Sequence, residues 1–182
     1  YTTLFRSAPN GDMASVVVGD GGASGRVYAI GWDPNTTDGL AVAYAKSNGQ
    51  RVWRTVLPGA NFVDQNRKLT PVLLNGKLYV VGNPSLGRCQ VYKIDSATGT
   101  IDWQTVIGTT NVIPNPGGGQ MALVENAVGA GVHGLYFNIG DADNLAYGIQ
   151  LDPATGASVG WVAPTGKQTA GGHSPVTYPS TP

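Results

Sequence analysis

Apolar residues in this chain come in short runs, each closed by Gly, Asn, Asp or Ser. Val27-Tyr28-Ala29-Ile30, Leu78-Tyr79-Val80-Val81 and Leu135-Tyr136-Phe137-Asn138 are β-prone runs of this kind. Runs of that length bounded by turn residues predict strands rather than helices. Their tyrosines are 51 and 57 residues apart. A further run precedes each, at residues 14–18, 70–74 and 120–124, and a last one stands at 174–178. Strand signals recurring at one period mark a repeat architecture.

A second anchor keeps the same period. In Val91-Tyr92-Lys93-Ile94-Asp95-Ser96-Ala97-Thr98-Gly99-Thr100-Ile101-Asp102-Trp103 a strand leads through a turn to a tryptophan. Asp152, Thr155 and Gly156 repeat the turn, and Trp161 follows with one residue inserted. The first copy is degenerate: Ala45 replaces the Asp, Asn48 replaces the Thr, and Gly49 and Trp53 are kept. The glycines are 50 and 57 residues apart, and the tryptophans 50 and 58. Asp95 and Asp152 can accept backbone N–H groups within their turns. Gly49, Gly99 and Gly156 supply a positive φ there. Trp53, Trp103 and Trp161 are large rings to bury between neighbouring units.

Each unit reads as four strands. In the second, residues 69–74 form the first strand, Asn75-Gly76 a tight hairpin turn, and residues 77–81 the second strand. Residues 90–94 form the third strand, and the fourth carries Trp103. Four antiparallel strands per unit of about 50 residues predict a β-propeller blade. The fold class expected is therefore all-β: a partial β-propeller of about three four-stranded blades plus the first strand of a fourth. The blades fall at about residues 12–59, 60–110 and 111–166, with a further blade starting in 167–182. Complete propellers have about four to eight blades, so the chain reads as a fragment. Residues 1–7, YTTLFRS, resemble the translated end of a sequencing adapter, and neither an initiator Met nor a signal peptide is visible. This segment is expected to be non-native, as in a metagenomic read.

Composition fits this reading. Of 182 residues, 27 are Gly and 12 are Pro, which the turns explain. Glu125 is the only Glu, so helix formers are scarce. Eleven basic residues balance eleven acidic ones, which argues against nucleic acid and anionic membranes as partners. No apolar run approaches the length of a membrane span. Cys89 is the single cysteine, which excludes an intrachain disulfide.

The pattern D-x-x-T-G-x-x-x-W after a strand resembles the tryptophan-docking motif of the pyrroloquinoline quinone (PQQ)-like repeat family. Residues 95–103 match it fully, residues 152–161 with one insertion, and the first unit in part. The resemblance covers nearly everything from Ala8 onward. It implies a propeller, and a periplasmic or extracellular location. It extends to quinoprotein alcohol dehydrogenases, which hold PQQ and calcium with adjacent disulfide-linked cysteines, a Glu, an Asn and an Asp base. Cys89 cannot form that disulfide, and no residue carries over to the quinone site. The resemblance leaves the cofactor open: only a full-length protein could hold PQQ and calcium.

Candidate chemistry lies in loops that enter the first strand, or join the second to the third, on one propeller face. Arg67 and Lys68 could bind an anion. Gln120 and His173 stand at strand entrances, where His173 could be a ligand or base. Asp141, Asp143 and Asn144 offer oxygens to a hard cation but lack the distal Glu of a calcium loop. His133 is expected in a turn before a strand, and Glu125 at the end of one. No catalytic residue is assigned. The function expected is a binding or assembly scaffold within a longer secreted or envelope protein, its partners being the remaining blades or another protein. The alternative is a fragment of a PQQ- and calcium-dependent alcohol or sugar dehydrogenase.

Overall fold

The computed structural model describes residues 15–19, 25–33, 35–36, 38–61, 71–85, 88–107, 122–129, 132–140, 145–152 and 154–167. Residues 1–7 and the strand expected at 174–178 lie outside them. No helix occurs among the described residues. The strands fall in three groups of four. The first is β1 Ser15–Val18, β2 Arg26–Trp32, β3 Asp38–Ala45 and β4 Arg51–Asn61. The second is β5 Val72–Leu74, β6 Lys77–Ser85, β7 Arg88–Asp95 and β8 Ile101–Ile107. The third is β9 Ala122–Gly129, β10 Val132–Gly140, β11 Leu145–Leu151 and β12 Ser158–Lys167.

Within each group every strand pairs antiparallel with the next. This is the meander expected of a blade. The first two groups touch edge to edge at one bridged pair, Asn61 with Asn83. Elsewhere they meet through side chains. β6 and β7 extend beyond the expected 77–81 and 90–94, to Ser85 and from Arg88, and in β9 and β10 two residues change place. Glu125 stands inside β9 and His133 inside β10. The reason is that the β9–β10 ladder continues past a register shift to pair Val132 with Gly129.

Alternation along the strands builds the seam between the first two groups. Tyr28, Ile30, Ala41, Ala43 and Leu57 of the first form one buried cluster with Leu78, Val80, Tyr92 and Ile94 of the second. Val17, Trp53 and Leu73 pack against it. The alternate positions Ala29, Leu40, Val42 and Tyr44 form a separate buried cluster. Tyr92 donates its hydroxyl to the Pro58 carbonyl across the seam at 2.6 Å, so its polar end is satisfied where its ring is buried.

The turns follow the sequence chemistry. Asn75 and Gly76 both have positive φ, 48° and 73°, as a two-residue hairpin of this hand requires. Gly49, Gly99 and Gly156 sit at φ 71°, 80° and 74°. Each donates its N–H to the carbonyl four residues back, at 2.8, 2.8 and 2.7 Å. All three turns thus share one backbone form, including the degenerate first.

Candidate functional site

The motif side chains divide between holding the turn and joining the units. Asp95 Oδ1 accepts the N–H groups of Ala97 and Thr98 at 2.9 and 3.0 Å and the Thr98 hydroxyl at 3.2 Å. Asp152 does the same for Ala154 N–H at 2.7 Å and the Thr155 hydroxyl at 3.0 Å. The hydroxyls of Thr98 and Thr155 then accept the N–H two residues on, at 3.3 and 3.2 Å. In the first turn Asn48 Oδ1 takes over that last task, accepting Gln50 N–H at 2.9 Å. Ala45 has no side-chain oxygen to perform the first.

The nearest neighbours of Gly99 and Gly156 come from the preceding unit, not from their own motif copy. Gly99 lies against the tryptophan of the preceding unit: a Cβ there would stand 2.7 Å from Trp53 Cδ2 and 2.7 Å from Thr55 Oγ1. Gly156 likewise lies against Trp103 and Thr105, at 2.8 and 2.6 Å from such a Cβ. Only a residue without a side chain permits that approach. Polar contacts reinforce it. Trp53 Nε1 donates to the Ser96 carbonyl at 3.0 Å, and Thr55 Oγ1 donates to the Gly99 carbonyl at 2.6 Å. Tyr28 and Trp53 lie with ring centroids 5.9 Å apart, and Tyr79 and Trp103 at 6.4 Å. Sequence reasoning singled out the tryptophans. It used Tyr28 only as a marker of the repeat and missed Thr55, Thr105 and Arg26, although the Trp-x-Thr spacing common to the first two units was a readable signal.

Charged side chains of the described residues serve the same architecture. Lys77 Nζ lies 2.8 Å from Asp95 and 2.9 Å from Asp102, with Lys93 4.0 Å from Asp102. The hydrogen bond from Lys77, followed by that from the Thr98 backbone, lowers the Asp95 carboxyl from 3.8 to about 2. The same bond, with that to Asp102, raises Lys77. Burial, aided by the charge of Asp102, pushes the Tyr79 hydroxyl up to about 12, so it stays neutral. In the loop after β2, Asp33 accepts Asn35 N–H at 2.9 Å and pairs with Arg54 at 2.7 Å.

Of the loop candidates, Arg67, Lys68, Gln120, Asp141, Asp143, Asn144 and His173 lie outside the described residues. Among the described residues no three His, Cys, Asp or Glu side chains gather to hold a metal ion. No helix among the described residues is long and apolar enough to cross a membrane.

Three antiparallel four-stranded units in series, with Trp53 and Trp103 each seated on the next unit's turn, define a segment of a β-propeller. The sequence matches, over residues 6–172, the family described as outer membrane protein assembly factor BamB. The chain therefore belongs to this PQQ-like repeat family. Among solved structures, it is similar to quinohemoprotein alcohol dehydrogenase from Comamonas testosteroni, at 17% identity and TM-score 0.55, over 83% of this chain and 21% of that one. It is also similar to quinohemoprotein alcohol dehydrogenase ADHIIG from Pseudomonas putida HK5, at 18% identity and TM-score 0.50, over 80% of this chain and 26% of that one. The chain thus spans about a fifth to a quarter of the length of these structures. No curated protein matches the sequence.

Proposed function

We propose that this chain is a non-catalytic propeller segment, part of a longer secreted or envelope protein, that presents loops and blade edges to a protein partner. The observation that carries the reading is the use of its charged and polar side chains. Where described, Asp95, Asp152, Lys77, Trp53 and Thr55 hold turns and seams, and none converges on a reaction centre. Membership of a family described by its role in outer membrane protein assembly supports an assembly role and an envelope location. The blades span about residues 12–59, 60–110 and 111–166. The next, begun in 167–182, and its successors are the first partners of this segment.

The competing reading is a piece of a PQQ- and calcium-dependent alcohol or sugar dehydrogenase, motivated by the two dehydrogenases of like fold. The full-length protein tests the two. It is incubated with PQQ and calcium, then assayed for dye-linked oxidation of alcohols and sugars. In parallel, a tagged copy is crosslinked in its native cell envelope. The scaffold reading expects no oxidation and a defined protein complex. Oxidation that requires both PQQ and calcium would overturn it.

A further inference from the structure

The first turn has Ala45 where the other two have an aspartate, and the residue facing that position explains what the difference does. Each unit has one residue just before its tyrosine run: Arg26, Lys77 and Gly134. Across the ladder, Arg26 opposes Ala45 and Lys77 opposes Asp95. Leu135 opposes Leu151, which sets Gly134 against Asp152 by continuation of the register.

In the second unit the facing carboxylate captures its base. Lys77 lies 2.8 Å from Asp95 and 2.9 Å from Asp102, all within one blade. In the first unit Ala45 offers no acceptor, and Arg26 reaches outward instead. Its Nη1 donates to the carbonyls of Ser96 and Ala97 in the next blade, at 2.7 and 2.5 Å. The Ser96 carbonyl also receives Trp53 Nε1 at 3.0 Å and the Tyr28 hydroxyl at 3.4 Å. Three donors from one blade therefore converge on a single turn carbonyl of its neighbour. A guanidinium gives charge-assisted bonds, which are stronger than neutral ones.

We infer that Ala45 is a release position: by lacking the motif's carboxylate it frees Arg26 to clasp the following blade. The seam between the first and second blades gains a cationic tie. Lys77, the residue at the corresponding place for the second and third blades, is kept inside its own blade. The apparent decay of the first motif copy is then a gain at the seam. Restoring the motif's aspartate at position 45 should weaken the structure there.

The test reads hydrogen exchange of the Trp53 indole N–H by NMR, because that group bonds across the seam. Ala45→Asp is expected to speed its exchange about tenfold or more, the scale of losing a bond to a charged group. Ala45→Asn, similar in shape but uncharged, should leave exchange within about threefold of the parent chain. Arg26→Gln should itself speed exchange, and adding Ala45→Asp to it should do nothing further. Equal effects of Ala45→Asp and Ala45→Asn would overturn the inference. So would a full Ala45→Asp effect in the Arg26→Gln background. If Ala45→Asp alone proves too unstable to fold, folding of the Arg26→Gln/Ala45→Asp pair supports the inference, and its failure to fold overturns it.

Discussion

At the scale of residues, the molecule distinguishes glycines that look alike in sequence. Gly76 and Gly99 both have positive φ. A Cβ on Gly76 would meet nothing nearer than Ser96 Oγ at 4.0 Å, whereas one on Gly99 would stand 2.7 Å from the Trp53 ring. Gly76→Ala should therefore cost only left-handed backbone strain, about 1–2 kcal/mol. Gly99→Ala should add overpacking of about 1–3 kcal/mol to that strain. Urea denaturation of both variants checks the order, and a Gly76→Ala cost equal to or above that of Gly99→Ala would refute it. Thr55→Val should cost about 1 kcal/mol, since it leaves the Gly99 carbonyl without this donor. The need for positive φ was legible in Asn75-Gly76 and in the T-G pairs. The identity of the ring above Gly99 was not, because it depends on a contact 46 residues away in sequence.

At the scale of elements, the cation–carboxylate cluster ties β6, β7 and β8 of one blade together. Asp95 titrates below its ordinary range. A group with a depressed folded pKa adds stability above its unfolded value and loses it as pH falls through the folded one. Stability should therefore decline between about pH 4 and about pH 2, and Asp95→Asn should flatten that decline. Lys77 and Asp95 are 29% and 28% exposed, so screening holds the effect to about 1 kcal/mol or less. Thermal melts of the parent chain and the Asp95→Asn variant across that window measure it. Trp103→Ala should cost about 3–5 kcal/mol, because the ring lies against Gly156 of the third blade. Strand order and the β5–β6 hairpin were legible from apolar runs and turn residues. Strand ends were less so: β10 takes in His133 because ladder pairing continues beyond the apolar run.

At the scale of the whole molecule, the repeat period and the family were legible, since both depend on local motifs recurring in phase. The candidate chemistry was not. Loop residues such as Arg67 and His173 carry no periodic signal, and their type alone does not say what they face. The connection between units was also hidden. The motif reads as one continuous stretch of sequence, yet its two halves serve different seams: its turn receives the ring before it, and its tryptophan enters the turn after it.

A pair of double-mutant cycles separates the two seams. Stabilities are measured by denaturant unfolding for Gly99→Ala combined with Trp53→Ala, and for Gly99→Ala combined with Trp103→Ala. If Trp53 is the ring seated on Gly99, removing it relieves the overpacking, and the first pair should couple by about 1 kcal/mol or more. The second pair, which shares a motif but not a seam, should be additive within about 0.5 kcal/mol. Coupling of Gly99 to Trp103 with additivity toward Trp53 would contradict the account.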